Sequence, residues 1–193
     1  MRIPLTLATL LMTGCSLMMP VKDEAVHHLL EPVAADRPLN ATKPAIAVSR
    51  AALPSFLDSE QLVTRVDGAL VASDLDLWGE PLDLGISRVV AGNLSRLTRS
   101  ANIMPVGRFV TLDYTDLLEL RITQFQPDAT NSMVLQGAWK LQPVSGENAE
   151  SHYFRIATPL TPELPAGTAR VNAMNRALLG LAKEILATDL LQD

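Results

Sequence analysis

Apolar and polar positions change their period several times along the chain. Residues 25–33 read as a first strand closed by Pro32, and a loop follows between Pro38 and Pro44. Ile46 and Val48 then alternate with Ala45 and Ala47 as a short strand. Two apolar runs, 62–66 and 69–73, flank Asp67-Gly68, a pair that supplies the positive φ angles of a tight turn and so predicts a β-hairpin. The period then lengthens. Leu82, Ile86, Val89, Val90, Leu94 and Leu97 fall at helical spacing behind Pro81, whose missing N–H is harmless in a first turn. Gly85 and Gly92 weaken this helix by about 1 kcal/mol each and predict close packing against a sheet.

From Leu112 onward the period is two. Leu118, Leu120 and Ile122 alternate with Glu119, Arg121 and Thr123, and residues 127–131 carry turn chemistry. Met133, Leu135, Trp139 and Leu141 form the next apolar face, with Gly137 in its middle. After a turn over 143–151, Phe154 and Ile156 alternate with Tyr153 and Arg155, which completes an antiparallel meander. The last element is amphipathic: Val171, Met174, Leu178, Leu181 and Ile185 step by three and four, and Ala182 and Leu186 widen the stripe. Strands, helix, strands, helix predict an α+β domain, a mostly antiparallel sheet with both helices on one face.

Composition narrows the function. The chain has 193 residues, 48% apolar and 19% charged, with a net charge of −5 and one cysteine. That is enough apolar chain for one core, and too acidic for a surface that neutralises nucleic-acid phosphates. One cysteine makes neither an internal disulfide nor a Cys-rich zinc site.

Its setting gives that cysteine a role. Arg2 is followed by mostly apolar residues 3–12, too few to span a bilayer but suited to a secretory signal. Met12-Thr13-Gly14-Cys15 resembles the bacterial lipobox, with Met12 in place of the usual Leu. This implies a signal peptide over 1–14, cleavage between Gly14 and Cys15, diacylglycerol and N-acyl chains on Cys15, and a tether over 15–24. The tether reaches roughly 15–18 Å, so a single domain over 25–193 stays near the lipid. Ser16 rather than Asp after the cysteine implies sorting to the outer membrane, facing the periplasm.

The search for catalytic motifs is empty: no phosphate-binding Gly-rich loop, no HExxH and no GxSxG. His27 and His28 are neighbours on one strand, point to opposite faces, and read as exposed. His152 has no evident ligating partner. Asp74 and Asp76 share a face and could hold a hard cation, yet read better as a solvated edge; Asp113 and Asp116 read as ordinary loop or strand-end acids. No metal and no cofactor beyond the lipid is expected. Arg65 either pairs with Asp58 or Glu80 or docks a partner. Trp78 either packs at the start of the first helix or joins an interface.

Two blocks carry a resemblance. Leu53-Pro54-Ser55-Phe56-Leu57-Asp58 with Gln61-Leu62-Val63-Thr64-Arg65 is similar to a block of the PqiC-like, ABC-type transport auxiliary lipoproteins. Trp78-Gly79-Glu80-Pro81-Leu82 resembles the same family's approach to its first helix, and Asn93-Leu94, Ala138-Trp139-Lys140-Leu141 and the final helix follow its pattern. The pair His27-His28 departs from it, standing where the family often has an aromatic. The resemblance implies a non-enzymatic subunit of an MCE-type intermembrane lipid transport system. It would dock an MCE-domain partner at the outer membrane and could assemble as a homo-oligomeric ring, with Arg65 and Trp78 as contacts. The alternative is a lipoprotein that binds lipid or a small ligand alone.

Overall fold

A computed structural model describes residues 24–66, 68–107, 113–146 and 149–188. The expected signal peptide, with Gly14, the expected lipid-bearing Cys15, and the expected tether up to residue 23 lie outside the described residues, as do Asp67 and Leu112.

The predicted meander is present as β6 (Asp116–Pro127), β7 (Ser132–Pro143) and β8 (Ser151–Pro159), paired antiparallel in that order. Its alternation is clean because one face packs and the other does not. Leu118, Leu120 and Ile122 are buried while Glu119, Arg121 and Thr123 are exposed. Asp128 shapes the β6–β7 turn by accepting from Thr130 N at 2.9 Å and Ser132 N at 3.2 Å, which leaves Asn131 at φ +58°.

Two more strands extend the meander, and they are parallel to it. β2 (Ile46–Val48) lies between β6 and β5 (Ile103–Pro105) and runs parallel to both, giving the order β5-β2-β6-β7-β8. The sheet is therefore mixed. β2 is buried at all three positions, so its three residues serve the core on both faces and the expected alternation with Ala47 is absent. The helices α1 (Leu82–Thr98) and α2 (Ala166–Ala187) pack on each other and on one face of this sheet, α1 against β5 and β2, α2 against β7 and β8. The apolar stripes predicted for them meet there, with Ile86, Leu94, Leu178 and Leu181 fully buried.

A second, three-stranded sheet stands apart. The predicted hairpin is β3 (Gln61–Val66) and β4 (Ala69–Trp78), with Gly68 at φ +82° between them. The expected first strand is confined to β1 (Val26–His28), parallel to the end of β4.

The rest of that expected strand has a different life. From Leu29 to Thr42 the chain runs as a strap along α1, and side chains satisfy much of its backbone until Asn40 and Ala41 bond to the backbone of Arg99. Asn93 Oδ1 accepts Val33 N at 3.1 Å and Ala34 N at 3.0 Å, and Asn175 Oδ1 accepts Glu31 N at 2.9 Å. Arg88 donates to Leu30 O at 2.7 Å, Arg96 to Pro32 O at 2.9 Å, and Asn102 to Thr42 O at 2.8 Å. Leu30 is driven into the core beneath it. Gly92 permits this course: a Cβ there would stand 2.7 Å from Pro32. Gly85 and Gly92 thus face the strap and the Glu80 side chain rather than a sheet.

Candidate functional site

The β3–β4 ribbon is the feature that the core does not account for. Leu62 and Thr64 are buried, but Val66 and Leu70 toward the tip, Val71 across from Thr64, and Leu75 farther down β4 are about half exposed. β1 covers only the last three residues of β4, so both edges of the upper ribbon are free among the described residues. A two-stranded ribbon is marginal in water by itself, and exposed aliphatic side chains on both faces call for a covering surface.

Arg65 sits on this ribbon, directly across from Leu70, with no ion pair or side-chain hydrogen bond among the described residues. The expected pairing with Asp58 or Glu80 does not form. Glu80 is taken by Arg88, and Asp58 lies close enough to Arg50 to stabilise its charge. Trp78 is elsewhere. It ends β4, is 9% exposed, and packs beside Leu57, Leu62 and Leu82. Its backbone N donates to Glu60 O at 2.7 Å. The two candidate contacts are thus separated, Arg65 toward the tip and Trp78 inside the base. The two sequence blocks around them meet at that base, so their joint role is to seat the ribbon on the domain.

A polar joint missed by the sequence reading braces the same base. His28, expected to be exposed, has a mostly buried side chain and donates from Nε2 to Asp76 Oδ1 at 2.8 Å. Asp76, expected at a solvated edge, also accepts from Ser73 Oγ at 2.9 Å. Its carboxylate lies against the first turn of α2, where a Cβ on Gly167 would be 2.0 Å from Oδ1. Unpaired amides and the helix dipole favour an anion there. The only signal in the sequence was the glycine itself. Burial pushes the Asp76 carboxyl up, but the hydrogen bonds from His28 and Ser73 and the charges of His28 and Arg170 outweigh it, so it lies below its ordinary 3.8. A lowered folded-state value stabilises the fold above the unfolded value and loses that contribution as pH falls through the folded one. Asp76→Asn is therefore expected to cost about 1 kcal/mol at pH 7. The gap from wild type should shrink as pH drops below the 3.8 reference. Urea titrations at the two extremes measure both.

His152 stacks on Trp139 with ring centroids 4.3 Å apart, and His27 is exposed. Among the described residues no three His, Cys, Asp or Glu side chains gather to hold a metal ion, and no helix is long and apolar enough to cross a membrane. The space enclosed between the ribbon base and α2 measures about 10 Å³, no more than a water.

The family model for the ABC-type transport auxiliary lipoprotein component matches residues 27–186. The chain belongs to that family, which is a transport component with a lipoprotein's attachment to membrane and not an enzyme class. No curated protein matches. Among solved structures, an uncharacterized protein is 18% identical, with a TM-score of 0.62 over 82% of this chain and 97% of its own. Protein XCC0632 from Xanthomonas campestris is 17% identical, with a TM-score of 0.60 over 84% of this chain and 90% of its own. These likenesses establish the α+β fold.

Proposed function

We propose that the chain is the outer-membrane lipoprotein subunit of an MCE-type intermembrane lipid transport system. It is held by acyl chains on Cys15 after cleavage behind Gly14, and it docks an MCE-domain partner or neighbouring copies in a ring. The observation that carries this reading is the exposed apolar ribbon of a transport-family domain. Val66, Leu70, Val71 and Leu75 offer contact area with few charges to desolvate, and Arg65 supplies a polar anchor of the type that dominates interface energetics. A stand-alone carrier that fully encloses its lipid has less support, since the enclosed space beside Trp78 would hold only a water and the larger depressions, of about 610 and 650 Å³, are open to solvent.

The test is co-purification of the MCE-domain protein with the full-length chain from membranes. Leu70→Asp with Leu75→Asp should weaken capture roughly 30-fold, a hot-spot loss of about 2 kcal/mol, with an unchanged circular dichroism spectrum. Cys15→Ser should release the chain from the outer-membrane fraction and leave partner capture intact. Undiminished capture by the ribbon variant would remove the ribbon from the docking surface.

A further inference from the structure

The outer face of the five-stranded sheet, opposite the helices, holds a second surface whose chemistry differs from the ribbon's. Arg121, Ala138 and Tyr153 form one row across β6, β7 and β8, and Gln136 and Arg155 are paired in the next row along β7 and β8. Because Ala138 is short, Arg121 and Tyr153 wall an open depression of about 650 Å³, with Thr123, Gln136 and Arg155 at one end. Tyr153 is 85% exposed, in a chain with only two tyrosines.

The charge here runs against the rest of the molecule. The chain carries −5, yet this face shows Arg121, Lys140 and Arg155 against Glu119, which stands across from Lys140. Arg121 has no side-chain partner among the described residues, and Arg155 has only a long contact with Asp128 at 3.8 Å. Arginine and tyrosine are the side chains that most often anchor protein interfaces.

The same surface ends at an open strand edge. β8 pairs with β7 alone, so along its nine residues the far edge has no strand partner among the described residues. Such an edge is a template for another strand. In a strand added there, alternate side chains would point toward the outer face, beside Tyr153 and Arg155. Acidic residues at those positions would find Arg155 as a direct counter-charge, while Arg121, three strands in from the added one, contributes positive potential at longer range.

We propose that β8 receives an extended, acidic segment of a partner protein, added as a strand at the sheet edge with its acidic side chains set against Arg155 beside Tyr153, in the positive field to which Arg121 adds. This rests on the reading of the chain as a transport subunit with a protein partner, and it names a contact separate from the ribbon.

The test uses the full-length chain in its own cells, with Tyr153→p-benzoylphenylalanine as a photo-crosslinker and the same group at Leu70 for comparison. The expected result is a crosslink from position 153 that maps to an acidic strand-forming segment of one protein. Its yield should fall about tenfold with Arg121→Glu and Arg155→Glu, while the crosslink from position 70 persists. Crosslinks from 153 to lipid alone, to a second copy of this chain, or to nothing would overturn the proposal, as would indifference to charge reversal. A surviving crosslink from position 70 in those cases leaves the ribbon reading standing; its loss alone would defeat the ribbon and spare the edge.

Discussion

Gly137→Ala is expected to destabilise the domain by about 3 kcal/mol or more, although it adds a single methyl group. A Cβ at this position would stand 2.1 Å from the carbonyl oxygen of Arg121 and 3.1 Å from Ile122 Cα. Both are backbone atoms of β6, the strand paired with β7 across the whole domain, so no side chain can swing aside. The register between these strands already shifts at Ile122/Gln124, beside this contact. Relief would mean parting the two longest strands of the sheet, which breaks ladder bonds and loosens the packing of Trp139 and Ile122 beneath. In a domain of this size the loss should lower Tm by roughly 6–12 °C. Calorimetry on the variant measures it, and a Tm within a degree of wild type would mean that β6 and β7 can separate without cost.

The second large effect is expected from Asn93→Leu. Asn93 is fully buried, and leucine keeps its branching and its number of side-chain heavy atoms, so a purely apolar view of the core predicts little change. The hydrogen bonds predict otherwise. Asn93 Oδ1 accepts both Val33 N and Ala34 N, and leucine would leave the buried Ala34 donor without a partner, while Val33, at the surface, can turn to water. An unpaired buried donor costs about 1–3 kcal/mol, so the variant should lose roughly that much. Hydrogen exchange locates the damage: the amides of Val33 and Ala34 should lose protection first, before those of β7. If both amides stay protected, another acceptor has replaced the asparagine.

The contrast between these residues shows what a sequence can and cannot reveal. Leu118, Leu120 and Ile122 announce β6 because one face of the meander is packed and the other wet, and that asymmetry is periodicity itself. Val171 to Ile185 announce α2 for the same reason. The strap has no such asymmetry. Much of its backbone is satisfied by Asn93, Asn175, Arg88 and Arg96, residues 58 to 144 positions away, so its apolar positions resemble a strand. The two sheets were merged into one because pairing partners for three-residue strands leave no local trace. Burial of Trp78 follows from its place before Pro81. The exposure of Leu70, Val71 and Leu75 does not follow from composition, since an uncovered aliphatic strand reads like a covered one. Of the pairings open to Arg65, with Asp58 or Glu80, the second is taken because Arg88 on α1 reaches back to the Glu80 carboxylate just before the helix. Asp76 was read as solvated because its partners, His28 and Gly167, lie on other elements.

The strap also decides how the domain answers force. It follows α1 from Arg88 toward Asn102, contacting in turn Asn93, Arg96 and Arg99, so its anchoring bonds lie in file along one axis. A load drawn along that axis from the amino-terminal side is shared by all of them at once, in shear. A load drawn away from the helix meets them singly, and the strap peels from Leu30 onward. Resistance to forced unfolding should therefore differ with the direction of pull, high when the domain trails its amino end along the strap and low when it is lifted sideways from it.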